Sequence, residues 1–149
     1  MNRSFEVLLV EDNDDDVVLT KRAFQQTKYD IVVTHVENGV ECLKLLEERC
    51  NTKERRLPDL MLLDLNMPLM SGSEVMEVIS GDARLNTMPV VALSTSTSEK
   101  EIREMYRLQC RLYLSKSVDL LQFRKDITAL GHYWFDLVTL PPPHTQIAS

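Results

Sequence analysis

Acidic, hydroxyl and ammonium side chains in this chain stand within two residues of the ends of short apolar runs, a pattern that could gather them at one edge of a fold. Glu11 and Asp12 follow Val7–Val10, Asp64 follows Leu60–Leu63 in LMLLDLNMP, Ser94 and Thr95 follow Val90–Leu93, and Lys116 follows Leu112–Leu114. Carboxylates packed together repel unless a hard cation lies among them. A small set of oxygen donors that leaves room for water suits Mg²⁺ better than Ca²⁺. A carboxylate held against such a cation and an ammonium can attack a phosphoryl group, because the positive charges offset the charge spread over its three oxygens. Asp64 is the candidate nucleophile; Ser94 would hydrogen-bond the transferred group and Lys116 would pair with it.

The stretch VLLVEDNDDD also invites a calcium reading, since Asp12, Asp14 and Asp16 fall at positions one, three and five of an EF-hand loop. The glycine position of that loop is Val17, and its closing glutamate position is Ala23, so the motif is not met. Asn13, Asp14 and Asp15 suit a helix cap and first turn instead, and Asp16 has no assigned part. The histidines His35, His132 and His144 share no ligand spacing and read as structural.

For these groups to converge, the apolar runs must be neighbouring strands. The runs Val7–Val10, Ile31–Val33, Leu60–Leu63, Val90–Leu93 and Leu112–Leu114 show little polar alternation, as strands buried on both faces should. Between them lie helical patterns. Leu19, Ala23, Phe24 and Thr27 line one face of the first, Val40, Leu43, Leu46 and Cys50 the second, Val75, Val78 and Ile79 the third, and Ile102, Met105 and Tyr106 the fourth. Leu120, Phe123, Ile127, Leu130, Trp134 and Leu137 mark a fifth. Alternating strand and helix with short links implies right-handed crossovers and a parallel sheet covered on both sides. Five such units without a Gly-rich dinucleotide turn predict a flavodoxin-like, doubly wound α/β fold with strand order 2-1-3-4-5. In that order the ligand crevice lies beyond the carboxyl ends of strands one and three. Asn51 to Asp59 reads as an exposed loop.

A chain of 149 residues, 44% hydrophobic, supports one core, and a net charge of −6 argues against binding a nucleic-acid backbone. Three cysteines without a CxxC pair indicate neither a disulfide framework nor a zinc site. With no signal-peptide pattern and no membrane span, a reduced cytoplasmic protein is expected.

The ordered motifs VEDN, LLDLNMP, MPVVALSTS and YLSK together resemble the receiver domain of two-component response regulators, over Phe5 to about Gly131. That resemblance implies that Glu11 and Asp12 form an acidic pair for Mg²⁺ with Asp64 and the backbone carbonyl of Asn66. It implies that Asp64 accepts a phosphoryl group from a histidine kinase, that Ser94 and Tyr113 are the switch pair, and that Lys116 faces the phosphate. Three positions depart from the family pattern. Ser117 replaces the proline usual after the lysine, Ser71 stands where Asp-Gly is common, and Thr95 is bulkier than the usual small residue, which would slow phosphoryl entry or exit.

The ending GHYWFDLVTLPPP would bury Trp134 and Leu137 against the core while Tyr133, Phe135, Val138 and Leu140 leave apolar surface elsewhere, favouring self-association. It resembles, with EDNDDD and YLSKS, the stand-alone receivers of cyanobacterial and bacterial phytochromes. This implies a phytochrome kinase and a homodimer built on an extended last helix. The expected organisation is a receiver over residues 1–140 and a flexible Pro-rich tail over 141–149, with output through protein contacts. Two alternatives are an unphosphorylated pseudo-receiver, disfavoured by the complete Glu11, Asp12, Asp64 and Lys116 set, and a phosphatase, which would want a second acid where Asn66 stands.

Overall fold

The computed structural model describes residues 4–52 and 56–137. Five parallel strands, β1 (Ser4–Val10), β2 (Asp30–Val36), β3 (Leu60–Asp64), β4 (Val90–Ser94) and β5 (Leu112–Ser115), lie in the order β2-β1-β3-β4-β5, as predicted. The connecting helices are α1 (Asp14–Gln25), α2 (Gly39–Asn51), α3 (Gly72–Ser80) and α4 (Glu99–Arg107), with α5 (Leu120–His132) after the last strand. Asn13, Asn38, Ser71, Ser98 and Asp119 cap the five helices, each side-chain oxygen accepting a backbone N–H from the first turn. Ser71 thus has a local task that accounts for its place in the loop.

Successive strand residues face opposite sides, so the central strands feed two cores. Leu8, Val10, Met61, Leu63 and Ala92 point to the side packed by Leu46, Val75, Ile79 and Met105 of α2, α3 and α4. Val7, Leu9, Leu60, Leu62, Val91 and Leu93 point to Phe24 of α1 and Phe123, Ile127 and Leu130 of α5. Burial of each such Val, Leu, Ile, Met or Phe side chain contributes about 1.5–3 kcal/mol. Gly131 lets α5 approach α1, since a Cβ there would lie 3.1 Å from Thr27 Cγ2. The register aligns the strand ends: Val10 faces Leu63, Asp64 faces Leu93 and Ser94 faces Ser115. The residues that leave β1, β3, β4 and β5 therefore emerge side by side.

Several sequence expectations are corrected. Val40, Val78, Tyr106 and Leu120, expected on buried faces, are exposed, because each helix rests on the sheet along a narrower stripe than its apolar pattern suggests. Strand β2 is an edge, and Val32 is exposed rather than buried on both faces. The stretch from Asn51 is not a plain exposed loop. Asn51 ends α2, Leu57 and Asp59 are buried, and Asp59 Oδ2 accepts the Glu6 N–H at 2.8 Å. Thr27 lies beyond α1, where its hydroxyl donates to the Phe24 carbonyl at 2.7 Å.

The fifth helix does not run on as a regular α-helix to Leu137; at Tyr133–Leu137 it widens into a π turn. The wider turn spreads successive residues over a smaller angle, so Trp134 and Phe135 both reach the core. The Phe135 ring lies 4.5 Å from Phe5 and 6.2 Å from Tyr29, centroid to centroid, which overturns its expected exposure. Tyr133 remains exposed as expected. Val138, Leu140 and the tail 141–149 lie outside the described residues, as does the side chain of Leu137.

Candidate functional site

At the carboxyl edge of the sheet, Glu11, Asp12, Asn13, Asp16, Asp64, Asn66, Thr95 and Lys116 line one pocket of about 310 Å³. Glu11 is 1% exposed, with its N–H donating to the Val36 carbonyl at 3.1 Å and its own carbonyl accepting from His35 Nε2 at 2.6 Å. His35 thereby serves the backbone that aims Glu11, a structural part as expected. Asp64 closes β3; its Oδ1 accepts the Asn66 N–H at 2.9 Å and its Oδ2 lies 3.3 Å from Lys116 Nζ. The ammonium also meets Glu11 Oε1 at 2.7 Å and Asp16 Oδ2 at 3.0 Å.

One oxygen from each of Glu11, Asp12 and Asp64 lies within 4.8 Å of the others. Burial, helped by the adjacent Asp64 carboxylate and opposed by Lys116, pushes the Glu11 carboxyl up to about 8. Carboxylates so crowded that one of them resists ionisation are the surroundings a divalent cation relieves. Burial alone would lower the Lys116 ammonium, but the Glu11, Asp64 and Asp16 carboxylates together hold it above its ordinary range, so it is charged at neutral pH.

Ser94 is fully buried, and its hydroxyl lies 2.8 Å from Glu101 Oε1 and 3.3 Å from Asn66 Oδ1. The Tyr113 hydroxyl reaches the same Glu101 oxygen at 3.0 Å and the Ser96 carbonyl at 3.0 Å. Burial raises the Tyr113 phenol; Ser94 opposes the rise and Glu101 adds to it. Tyr106 of α4 accepts the Tyr113 N–H on its hydroxyl at 3.1 Å. Thr95 turns its N–H and hydroxyl to Asn66 Oδ1, at 3.1 and 3.3 Å. No cis peptide occurs among the described residues, the Lys116–Ser117 bond included.

The structure thus brings the predicted Glu11, Asp12, Asp64, Asn66 and Lys116 to one pocket, with Ser94 and Tyr113 joined beside it through Glu101. Two residues escaped the sequence reading. Asp16 stands in the first turn of α1, where its N–H bonds the Asn13 cap, and it was masked by three acidic neighbours. Glu101 stands three residues after Ser98, the spacing of a capping box, and reads as local from sequence.

The sequence profile of the response regulator receiver domain matches residues 7–128. The chain belongs to the response regulator receiver family. This receiver is 32% identical over 135 residues to the response regulator Rcp1 of Synechocystis, covering 91% of this chain and 92% of Rcp1. The same identity, over 139 residues, relates it to the probable methanogenesis regulatory protein FilR2 of Methanothrix harundinacea, with 93% and 89% covered. The crystal structure of the phosphorylated cyanobacterial phytochrome response regulator RcpA superposes with a TM-score of 0.87 at 34% identity, over 94% of this receiver and 100% of RcpA. Rcp1 in its Mn²⁺-bound form gives 0.85 at 31%, over 93% and 99%. Among the described residues of this receiver no helix is long and apolar enough to cross a membrane.

Proposed function

We propose that this receiver is a phosphoacceptor of a two-component phosphorelay, taking a phosphoryl group on Asp64 from a histidine kinase and signalling through protein contacts. The observation that carries this reading is the meeting of Asp64 with the Lys116 ammonium at 3.3 Å, inside a pocket walled by Glu11 and Asp12. An Asp64 oxygen attacks phosphorus in line with the donor's imidazole nitrogen. The phosphorus–oxygen bond forms as the phosphorus–nitrogen bond breaks, and the imidazole keeps the electron pair. The Asn66 N–H orients the carboxylate, and Lys116 offsets charge on the transferred group. Glu11, Asp12, Asp64 and the Asn66 carbonyl would hold Mg²⁺, which when bound supplies further charge neutralisation at the phosphoryl oxygens. The cluster of three carboxylates supports that assignment, as does the metal-bound form of Rcp1. Thr95, at the pocket wall, would slow phosphoryl entry and exit.

Similarity to RcpA supports a phytochrome as the donor kinase. A homodimer through the C-terminal helix region is supported by the exposure of Leu120, Leu121 and Tyr133 at the two ends of α5. The receiver is assigned residues 1–140.

Intact mass after incubation with a small phosphodonor and Mg²⁺ should show a base-labile adduct on the wild type and none on Asp64→Asn. Absence of any adduct would make the chain a pseudo-receiver, and continuous phosphate release from many substrates would make it a hydrolase. Sedimentation at micromolar concentration tests the dimer, and a monomer there refutes it.

A further inference from the structure

Glu101 has the spacing of a capping-box glutamate but does not act as one. In that motif the carboxylate turns back to the N–H of the cap residue. Here the Ser98 N–H is taken by Ser96 Oγ at 3.1 Å, and the Glu101 carboxylate turns inward to the Ser94 and Tyr113 hydroxyls. Ser94 has one proton, and its shortest acceptor is Glu101 Oε1 at 2.8 Å. The lone-pair side of Ser94 Oγ is engaged as well, accepting the Ser96 N–H at 3.0 Å. A hydroxyl donating to a carboxylate is held more firmly than one donating to a neutral oxygen.

We propose that Glu101 is a positioning residue that latches the Ser94 and Tyr113 hydroxyls in the unphosphorylated receiver, so that Ser94 can donate to a group on Asp64 only by leaving it. This inference rests on the phosphoacceptor reading of Asp64. The group arriving there is a dianion and competes with Glu101 for the single Ser94 proton. The strength of the latch therefore sets the fraction of molecules ready to receive it, and apparent affinity falls with that fraction. When Ser94 leaves, Glu101 keeps only Tyr113, which couples the pocket to α4 and β5 by one shared oxygen.

The probe is beryllofluoride with Mg²⁺, a phosphoryl mimic, titrated into the full chain and followed by ¹⁵N NMR. Glu101→Gln keeps the shape and replaces the carboxylate by a neutral acceptor, so binding should tighten about fivefold. Glu101→Asp keeps the charge and withdraws the oxygen from the two hydroxyls, and it should also tighten binding. Glu99→Gln removes a nearby charge on the same helix without touching the pair, and it should leave binding unchanged. In a Ser94→Ala background, Glu101→Gln should give no further gain, because the two residues act as a unit. Unchanged affinity in both Glu101 variants overturns the latch, as does a gain that survives in the Ser94→Ala background. A wild type that neither binds beryllofluoride nor takes a phosphoryl adduct refutes the phosphoacceptor reading and the latch with it. A wild type that does both, with Glu101 variants that match it, refutes the latch alone.

Discussion

Phe135→Ala tests whether the widened end of α5 belongs to the fold of one chain or to a contact between two. The ring is 8% exposed and stacks on Phe5 at 4.5 Å, with Tyr29 on a second side at 6.2 Å. A buried aromatic ring covers about 150–250 Å², so at about 25 cal/mol per Å² its burial contributes about 4–6 kcal/mol. Part of that area is already hidden in the unfolded chain, and alanine keeps its own share, which brings the expected loss to about 3–4 kcal/mol. For a chain of this length that is a fall in Tm of about 10 °C. Urea unfolding followed by circular dichroism at two protein concentrations a hundredfold apart measures it. If the ring packs inside one chain, the loss is the same at both. A loss under about 1 kcal/mol, below the range for truncating a core aromatic, or a loss that grows with protein concentration, would show that Phe135 is covered by something other than Phe5 and Tyr29.

Two further outcomes follow from the charge pattern. Asp16→Asn removes one of three carboxylates that compete for the Lys116 ammonium, a charge-assisted bond stronger than its neutral replacement by about 1 kcal/mol, so beryllofluoride affinity should rise about fivefold, and an unchanged affinity refutes the competition. Glu6 forms a two-pronged pair with Arg49 at 2.7 and 2.8 Å; burial raises its carboxyl, but the Arg49 and Thr34 bonds outweigh this and leave it lowered. A lowered carboxyl contributes stability above its unfolded value, and that contribution is lost as pH falls through the folded value. Glu6→Gln should therefore cost about 2 kcal/mol at pH 7, with the gap to wild type closing only below about pH 4.5. A gap that stays constant from pH 7 to pH 3 contradicts this.

The strand order was legible because five apolar runs alternated with helical spacing, and right-handed crossovers leave few arrangements of such units. Convergence of Glu11, Asp64 and Lys116 followed from the same step, since each stands within two residues of the end of a run. What the sequence hid has specific physical causes. An edge strand and a central strand can carry the same residues, and Val32 differs from Val91 only in what lies beside it. The 3-4-3-4-3 spacing of the last helix is equally compatible with a regular end and with a π turn, because one widened turn alters the phase only of the residues that follow. Glu101 was hidden by a motif that explained it locally, and its inward turn depends on Ser96 satisfying the cap from a position no helix rule includes.

The bond between the Tyr106 hydroxyl and the Tyr113 N–H bears on assembly as well as on the switch. Strand β5 ends the sheet, and an open edge offers amides to any extended peptide that comes alongside. In a strand of only four residues, one outward amide is already taken by a ring from α4. An incoming strand would have to expel Tyr106 before it could pair at that amide, so fibre-like growth is opposed there without a proline or a lysine being placed in the strand.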